Sequence, residues 1–120
     1  MSERQANVLQ ALKAVEKGDL AALDNLFSED VVYRDPRMTL RGLAAMKAQF
    51  GEDRIAVSDM VWQTRAIAEG VDVVMTERSD TFTLNGARVT HDIVGVFEFG
   101  RDGKIAAWRE YFDLSQLPEH

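Results

Sequence analysis

"MTERSDTFTLNGARVTHDIVGVFEF", Met75 to Phe99, decides the architecture of this chain. Two strand-like runs flank Asn85-Gly86, and Asn-Gly between such runs is the strongest short-range signal for a β-hairpin turn. Similar runs lie on either side. Strand-like segments occupy about 54–69, 71–84, 87–99 and 104–114, separated by Glu69-Gly70, Asn85-Gly86 and Arg101-Asp102-Gly103. The second half therefore reads as an antiparallel meander. Side chains alternate with period two, so Val74, Thr76, Arg78, Asp80 and Phe82 share one face of the 71–84 run. Charges flanked by apolar residues on one face suggest the wall of a pocket.

The first half is helical. Val8, Leu9, Leu12 and Val15 recur at helical spacing, with Ser2 and Gln5 placed as a capping box and Gly18 as a stop. Asp19 is placed to cap a short second helix that buries Leu20, Leu23, Leu26 and Phe27. "VVYRDP" reads as a short strand ending at Pro36, and "RGLAAMKAQFG" as a third helix burying Leu43, Met46 and Phe50 and closed by Gly51. Helices followed by a long, curved, mainly antiparallel sheet make an α+β two-layer fold, with residues 1–120 as one domain. A strongly curled sheet with helices across its open side forms a cone, and the mouth of such a cone suits a ligand.

Composition narrows the function. With 120 residues, 46% of them hydrophobic, the chain can bury roughly two-thirds of its unfolded surface in one core without staples. Cysteine is absent, which removes disulfides and thiolate chemistry. A net charge of −6 argues against nucleic acid as a partner, because that affinity rests on clustered Lys and Arg. The N-terminus is charged from residue 3 and has no long apolar run, so neither a signal peptide nor a membrane span is expected, and the expected location is cytoplasmic. With two histidines, one at the very C-terminus, no metal is expected. Leu117 to His120 read as a loose tail.

Strand parity sorts the candidate residues. On 104–114 the set Ala107, Arg109, Tyr111 and Asp113 opposes Ala106, Trp108, Glu110 and Phe112, and parity alone leaves open which set faces inward. With the first set inward, Asp80 and Asp113 converge on Arg78. An arginine has enough donors to hold two carboxyl groups, and in an apolar pocket two adjacent carboxyls resist ionising together, so that one stays acid while the other acts as base. The same three residues also read as a structural ion pair between strands.

"ERSD", "VGVFEF", "DGKI" and "WREYFDL", with a weaker match at "VVYRDP", resemble the limonene-1,2-epoxide hydrolase family, a branch of the SnoaL-like, nuclear transport factor 2-like cone folds. The resemblance implies a cofactor-free, one-step addition of water to a small apolar or alicyclic epoxide, with no covalent intermediate. It implies Asp113 as the base, Asp80 as the acid, Arg78 as their bridge and Tyr33 as a holder of the water. Asp35 stands where that family usually has an asparagine, which puts a third acid at the site. His91 shares parity with Val89, Ile93 and Phe97, and the resemblance turns this face toward the pocket. Phe82, Met60, Trp62 and Ile93 are expected to line it. Asp35 with His91 supports the alternative of a SnoaL-like or ketosteroid-isomerase-like isomerase, cyclase or dehydratase; a non-catalytic binding module is a further alternative. Glu77 points away from Arg78, toward solvent or an interface. Val94, Val96, Trp108 and Phe112 on the opposite faces of the last strands lead to the expectation of a homodimer through the outer sheet face.

Overall fold

The computed structural model describes residues 1–117; Pro118, Glu119 and His120, part of the expected tail, lie outside the described residues. The chain opens with α1, Glu3–Lys17, capped as its sequence requires. Ser2 Oγ accepts from the Gln5 amide at 3.1 Å, and Gly18 closes the helix in the left-handed conformation at φ 78°. Val8, Ala11, Leu12 and Val15 form its buried stripe. The short second helix is present as a 3-10 helix, Leu20–Asn25, although Asp19 makes no side-chain cap.

That strand, β1, spans Phe27–Asp35 and returns through Pro36-Arg37 into β2, Met38–Arg41, a short strand with no counterpart in the sequence reading. Helix α2, Leu43–Ala56, runs through Gly51 instead of stopping there. Gly51 costs about 1 kcal/mol relative to alanine in a helix interior. Burial of Leu43, Met46 and Phe50 on the same helix outweighs that cost, and Gly51 faces the side chain of Leu20. Four longer strands follow: β3, Ser58–Gly70; β4, Val73–Leu84; β5, Ala87–Phe99; and β6, Ile105–Tyr111.

The six strands form one sheet in the order β2-β1-β6-β5-β4-β3. Every neighbouring pair is antiparallel except β1 and β6, which run parallel, so the sheet is mixed. Asn85 and Gly86 take the expected hairpin turn with φ of 52° and 81° between the paired Leu84 and Ala87. The β3–β4 turn lies two residues later than Glu69-Gly70, at Val71-Asp72, with Gly70 paired to Val73.

Register then fixes which side chains look inward. Phe97 pairs with both Val74 and Trp108, and Trp108 pairs in turn with Tyr33. Phe27 and Phe97 stack on Trp108 at 5.9 and 5.0 Å between ring centroids, while Tyr33 and Phe50 meet it edge-on at 5.2 and 5.4 Å. This aromatic cluster joins the helices to the sheet. No described helix is long and apolar enough to cross a membrane.

Candidate active site

A cavity of about 180 Å³ lies between the helices and the inner face of the sheet. Tyr33 and Asp35 border it from β1, Met60 and Trp62 from β3, and Arg78, Asp80 and Phe82 from β4. His91 and Ile93 border it from β5. Leu117 also borders it, so the first residue of the expected tail belongs to the cavity wall.

Asp113 is the exception. Strand β6 ends at Tyr111, and exposed Asp113 accepts from the Ser115 amide at 2.9 Å, capping a short turn at Leu114–Gln116. This corrects the parity chosen for β6. Pairing of Phe97 with Trp108 and of Gly95 with Glu110 turns Trp108, Glu110 and Phe112 inward. Trp108 and Phe112 are therefore lost to the expected outer apolar face. The sequence held a usable cue, since Glu110 shares parity with two large aromatics while Asp113 shares it with Arg109.

The residue that meets Arg78 is accordingly Glu110. Arg78 Nε and Nη2 donate to Asp80 at 2.6 and 3.0 Å, and Nη2 also donates to Glu110 Oε1 at 2.5 Å. All three side chains are buried, and the Trp62 ring lies over the guanidinium at 4.2 Å. One cation thus faces two carboxyl groups. Burial pushes the Asp80 carboxyl above its ordinary range despite the opposing charge of Arg78, and it does the same to Glu110, whose neighbour Asp80 adds repulsion. Burial works against the guanidinium as well, yet Glu110 and Asp80 more than offset it and keep Arg78 charged. The arrangement favours one shared proton over two carboxylates.

Glu110 Oε2 has no hydrogen-bond partner among the described residues, and neither does Thr76 Oγ1. Both lie over Gly95. A β-carbon on that glycine would sit 2.7 Å from Glu110 Oε2 and 3.1 Å from Thr76 Oγ1, so the glycine makes room for the carboxyl.

Asp35 occupies a different electrostatic setting. Tyr33 Oη donates to its Oδ2 at 2.7 Å, the Arg37 amide to Oδ1 at 2.7 Å, and Arg37 Nη2 to Oδ2 at 2.9 Å. Burial would raise Asp35, but the bonds from Arg37 and Tyr33 prevail and hold it below the usual carboxylate range. Tyr33 is driven well above the usual phenol value by burial and by the charges of Glu110 and Asp35. The sequence reading passed over Arg37, although its place just beyond the Asp35-Pro36 turn is a local signal.

A sequence profile of the SnoaL-like domain matches residues 8–108. The chain is 32% identical to the epoxide hydrolase EphG of Mycobacterium tuberculosis, over 88% of this chain and 70% of that protein. It superposes on the structure of an M. tuberculosis LEH-like epoxide hydrolase with a TM-score of 0.82 and 28% identity, covering 95% of this chain and 85% of the other. A SnoaL-like polyketide cyclase structure from Shewanella putrefaciens matches with a TM-score of 0.86 at 12% identity, over 97% and 93% of the two chains.

His91 pairs with Asp80 across the β4–β5 ladder, its Nε2 4.0 Å from Asp80 Oδ2, and its ring meets Phe82 and Phe112 edge-on. Burial first, and then Arg78 and Arg37, push its pKa down to about 4. In the folded chain His91 stays neutral where the unfolded chain, with an ordinary value of 6.5, takes up a proton. Its contribution to stability is therefore intact above pH about 6.5 and is lost as the pH falls toward about 4. Urea titrations across that window are expected to show a steeper acid-side loss for the native chain than for His91→Phe; equal slopes would contradict the neutral, buried histidine.

Proposed function

We propose that this chain, which belongs to the SnoaL-like domain family, is an epoxide hydrolase that adds water directly to a small, largely apolar epoxide. The observation that carries the reading is the buried Arg78 bridge between Asp80 and Glu110, bordering a cavity walled largely by apolar side chains. The kinship with a protein named as an epoxide hydrolase supports it.

In this reading protonated Asp80 gives its proton to the epoxide oxygen as the carbon–oxygen bond breaks. The oxygen of a water molecule forms the new bond to that carbon, and Glu110 Oε2, the unpartnered oxygen, takes the water's proton. The product is a vicinal diol, and no atom of the protein enters it. Arg78 stays charged throughout and stabilises whichever carboxyl is ionised. Glu110 takes the role that the sequence resemblance had assigned to Asp113. Tyr33, whose proton is committed to Asp35, offers the water only an acceptor.

The alternative acid–base pair of Asp35 and His91 has less support, since Tyr33 and Arg37 already occupy both oxygens of Asp35. The outer face of β4, β5 and β6 still carries Met75, Val94 and Tyr111 beside the oppositely charged pair Arg109 and Glu98. Such a patch can complement a second copy of itself across a two-fold axis, and we assign the homodimer contact to it.

Incubation with cyclohexene oxide, styrene oxide and limonene oxide in ¹⁸O-water should yield diol carrying one ¹⁸O from the first turnover. Asp80→Asn and Glu110→Gln should each lower the rate by about 10²–10⁴ while the protein stays folded. Asp113→Asn should leave it near the native value. Diol formation that survives Glu110→Gln would reject the assigned base. Solvent proton exchange without diol would point to an isomerase, and ligand-induced stabilisation without turnover to a binding module. Sedimentation velocity is expected to give a dimer that Val94→Lys converts to monomer; a native monomer would remove the outer-face contact.

A further inference from the structure

A tyrosine hydroxyl has one proton to give, and Tyr33 gives it to Asp35 at 2.7 Å. Which way that proton points matters to the bound water. If Tyr33 only accepts, a water donating one hydrogen to Tyr33 and the other to Glu110 keeps a lone pair free for the epoxide carbon. If Tyr33 instead donates to the water, it takes one of the two lone pairs and draws electron density from the oxygen, and the water becomes a poorer nucleophile.

Asp35 settles the direction only while it is a pure acceptor. A protonated Asp35 could donate to Tyr33 and release the phenol proton toward the water. Arg37 opposes this at both oxygens: its amide donates to Oδ1 at 2.7 Å and its Nη2 to Oδ2 at 2.9 Å. The Asp35 side chain is fully buried, so no solvent competes for those bonds. Arg37 is itself anchored, with its guanidinium 6.0 Å from the Phe112 ring centroid. The charged and titratable groups facing this unit are Tyr33 on β1, Asp53 on α2, whose charge Arg37 feels, His91 on β5, which feels Arg37, and Glu110 on β6, whose charge Tyr33 feels.

We propose that Arg37 is a positioning residue: by occupying both oxygens of Asp35 it keeps that carboxylate an acceptor, which fixes the Tyr33 proton on Asp35 and leaves the phenol oxygen to accept from the attacking water. Arg37 borders the cavity, and in this role it acts through two intervening side chains, Asp35 and Tyr33. The inference deepens the epoxide hydrolase reading and rests on it for its catalytic consequence, while the hold on Asp35 is a property of the unliganded protein.

The test compares native protein, Arg37→Gln, Arg37→Lys and the double variant Asp35→Asn/Arg37→Gln. Carboxyl-carbon and tyrosine ring-carbon NMR titrations follow Asp35 and Tyr33 in unliganded protein, and diol formation from cyclohexene oxide is measured against pH. Arg37→Gln is expected to move the Asp35 midpoint upward and shift the Tyr33 ring-carbon signal. It should also introduce an acid-side fall in kcat of about a hundredfold with KM little changed. Arg37→Lys should fall between, since it keeps the charge but loses the fork of donors. The double variant should lose the new acid limb, because an asparagine has no proton to gain. An unchanged Asp35 midpoint in Arg37→Gln, or an acid limb that persists in the double variant, overturns the proposal. If the native protein forms no diol, the hydrolase reading fails on its own, and the NMR titrations still decide whether Arg37 governs Asp35 and Tyr33.

Discussion

The fold is arranged around one buried cation. Arg78 lies 1% exposed in the middle of β4, a position where an unpaired guanidinium would cost several kcal/mol. Asp80 from its own strand and Glu110 from β6 supply the compensating charge, and the face of Trp62 supplies the rest of its surroundings. Each partner imposes a requirement on the sheet. Asp80 must be two residues away on the same face, Glu110 must come from β6 in a register that brings it opposite Gly95, and position 95 must lack a side chain. One register slip between β5 and β6 would turn Glu110 to solvent and leave Arg78 with Asp80 as its one carboxyl partner.

Two carboxyl groups against one guanidinium also give the site its chemistry. A single carboxylate would be neutralised by Arg78, staying ionised with no proton to donate and only weak basicity. The second carboxyl, buried beside the first, ionises only by leaving negative charge that Arg78 does not match, which favours retention of a proton. The Asp35–Arg37 pair, on β1 beside β6, works in the reverse sense, since one cation matched to one carboxylate favours that carboxylate ionised. The cavity is therefore bordered both by a carboxyl pair that favours holding a proton and by a carboxylate that favours releasing one.

Much of this is legible in the sequence alone. Ser2, Gly18 and Asn85-Gly86 each carry a local backbone instruction, and each does what its chemistry dictates. The shared face of Arg78 and Asp80 followed from period two alone. What escaped the sequence was pairing at a distance. The β1–β6 contact is parallel and bridges most of the chain, so nothing local announces it, and the β2 strand is too short to show a period. The choice between Asp113 and Glu110 failed for a related reason. Parity alone leaves open which face of β6 looks inward, and the cross-strand register that decides it, Phe97 with Trp108 and Gly95 with Glu110, carries no local signal.

The central claim is that Arg78, Asp80 and Glu110 hold one proton among them in the resting protein. Carboxyl-carbon NMR of selectively labelled Asp80 and Glu110, titrated from acid to neutral pH, measures this without a substrate. Two well-separated steps are expected for the pair, the second lying clearly above the ordinary carboxylic acid range and disappearing in Asp80→Asn. Full ionisation of both groups within the ordinary range would contradict it and reduce the triad to a structural ion pair.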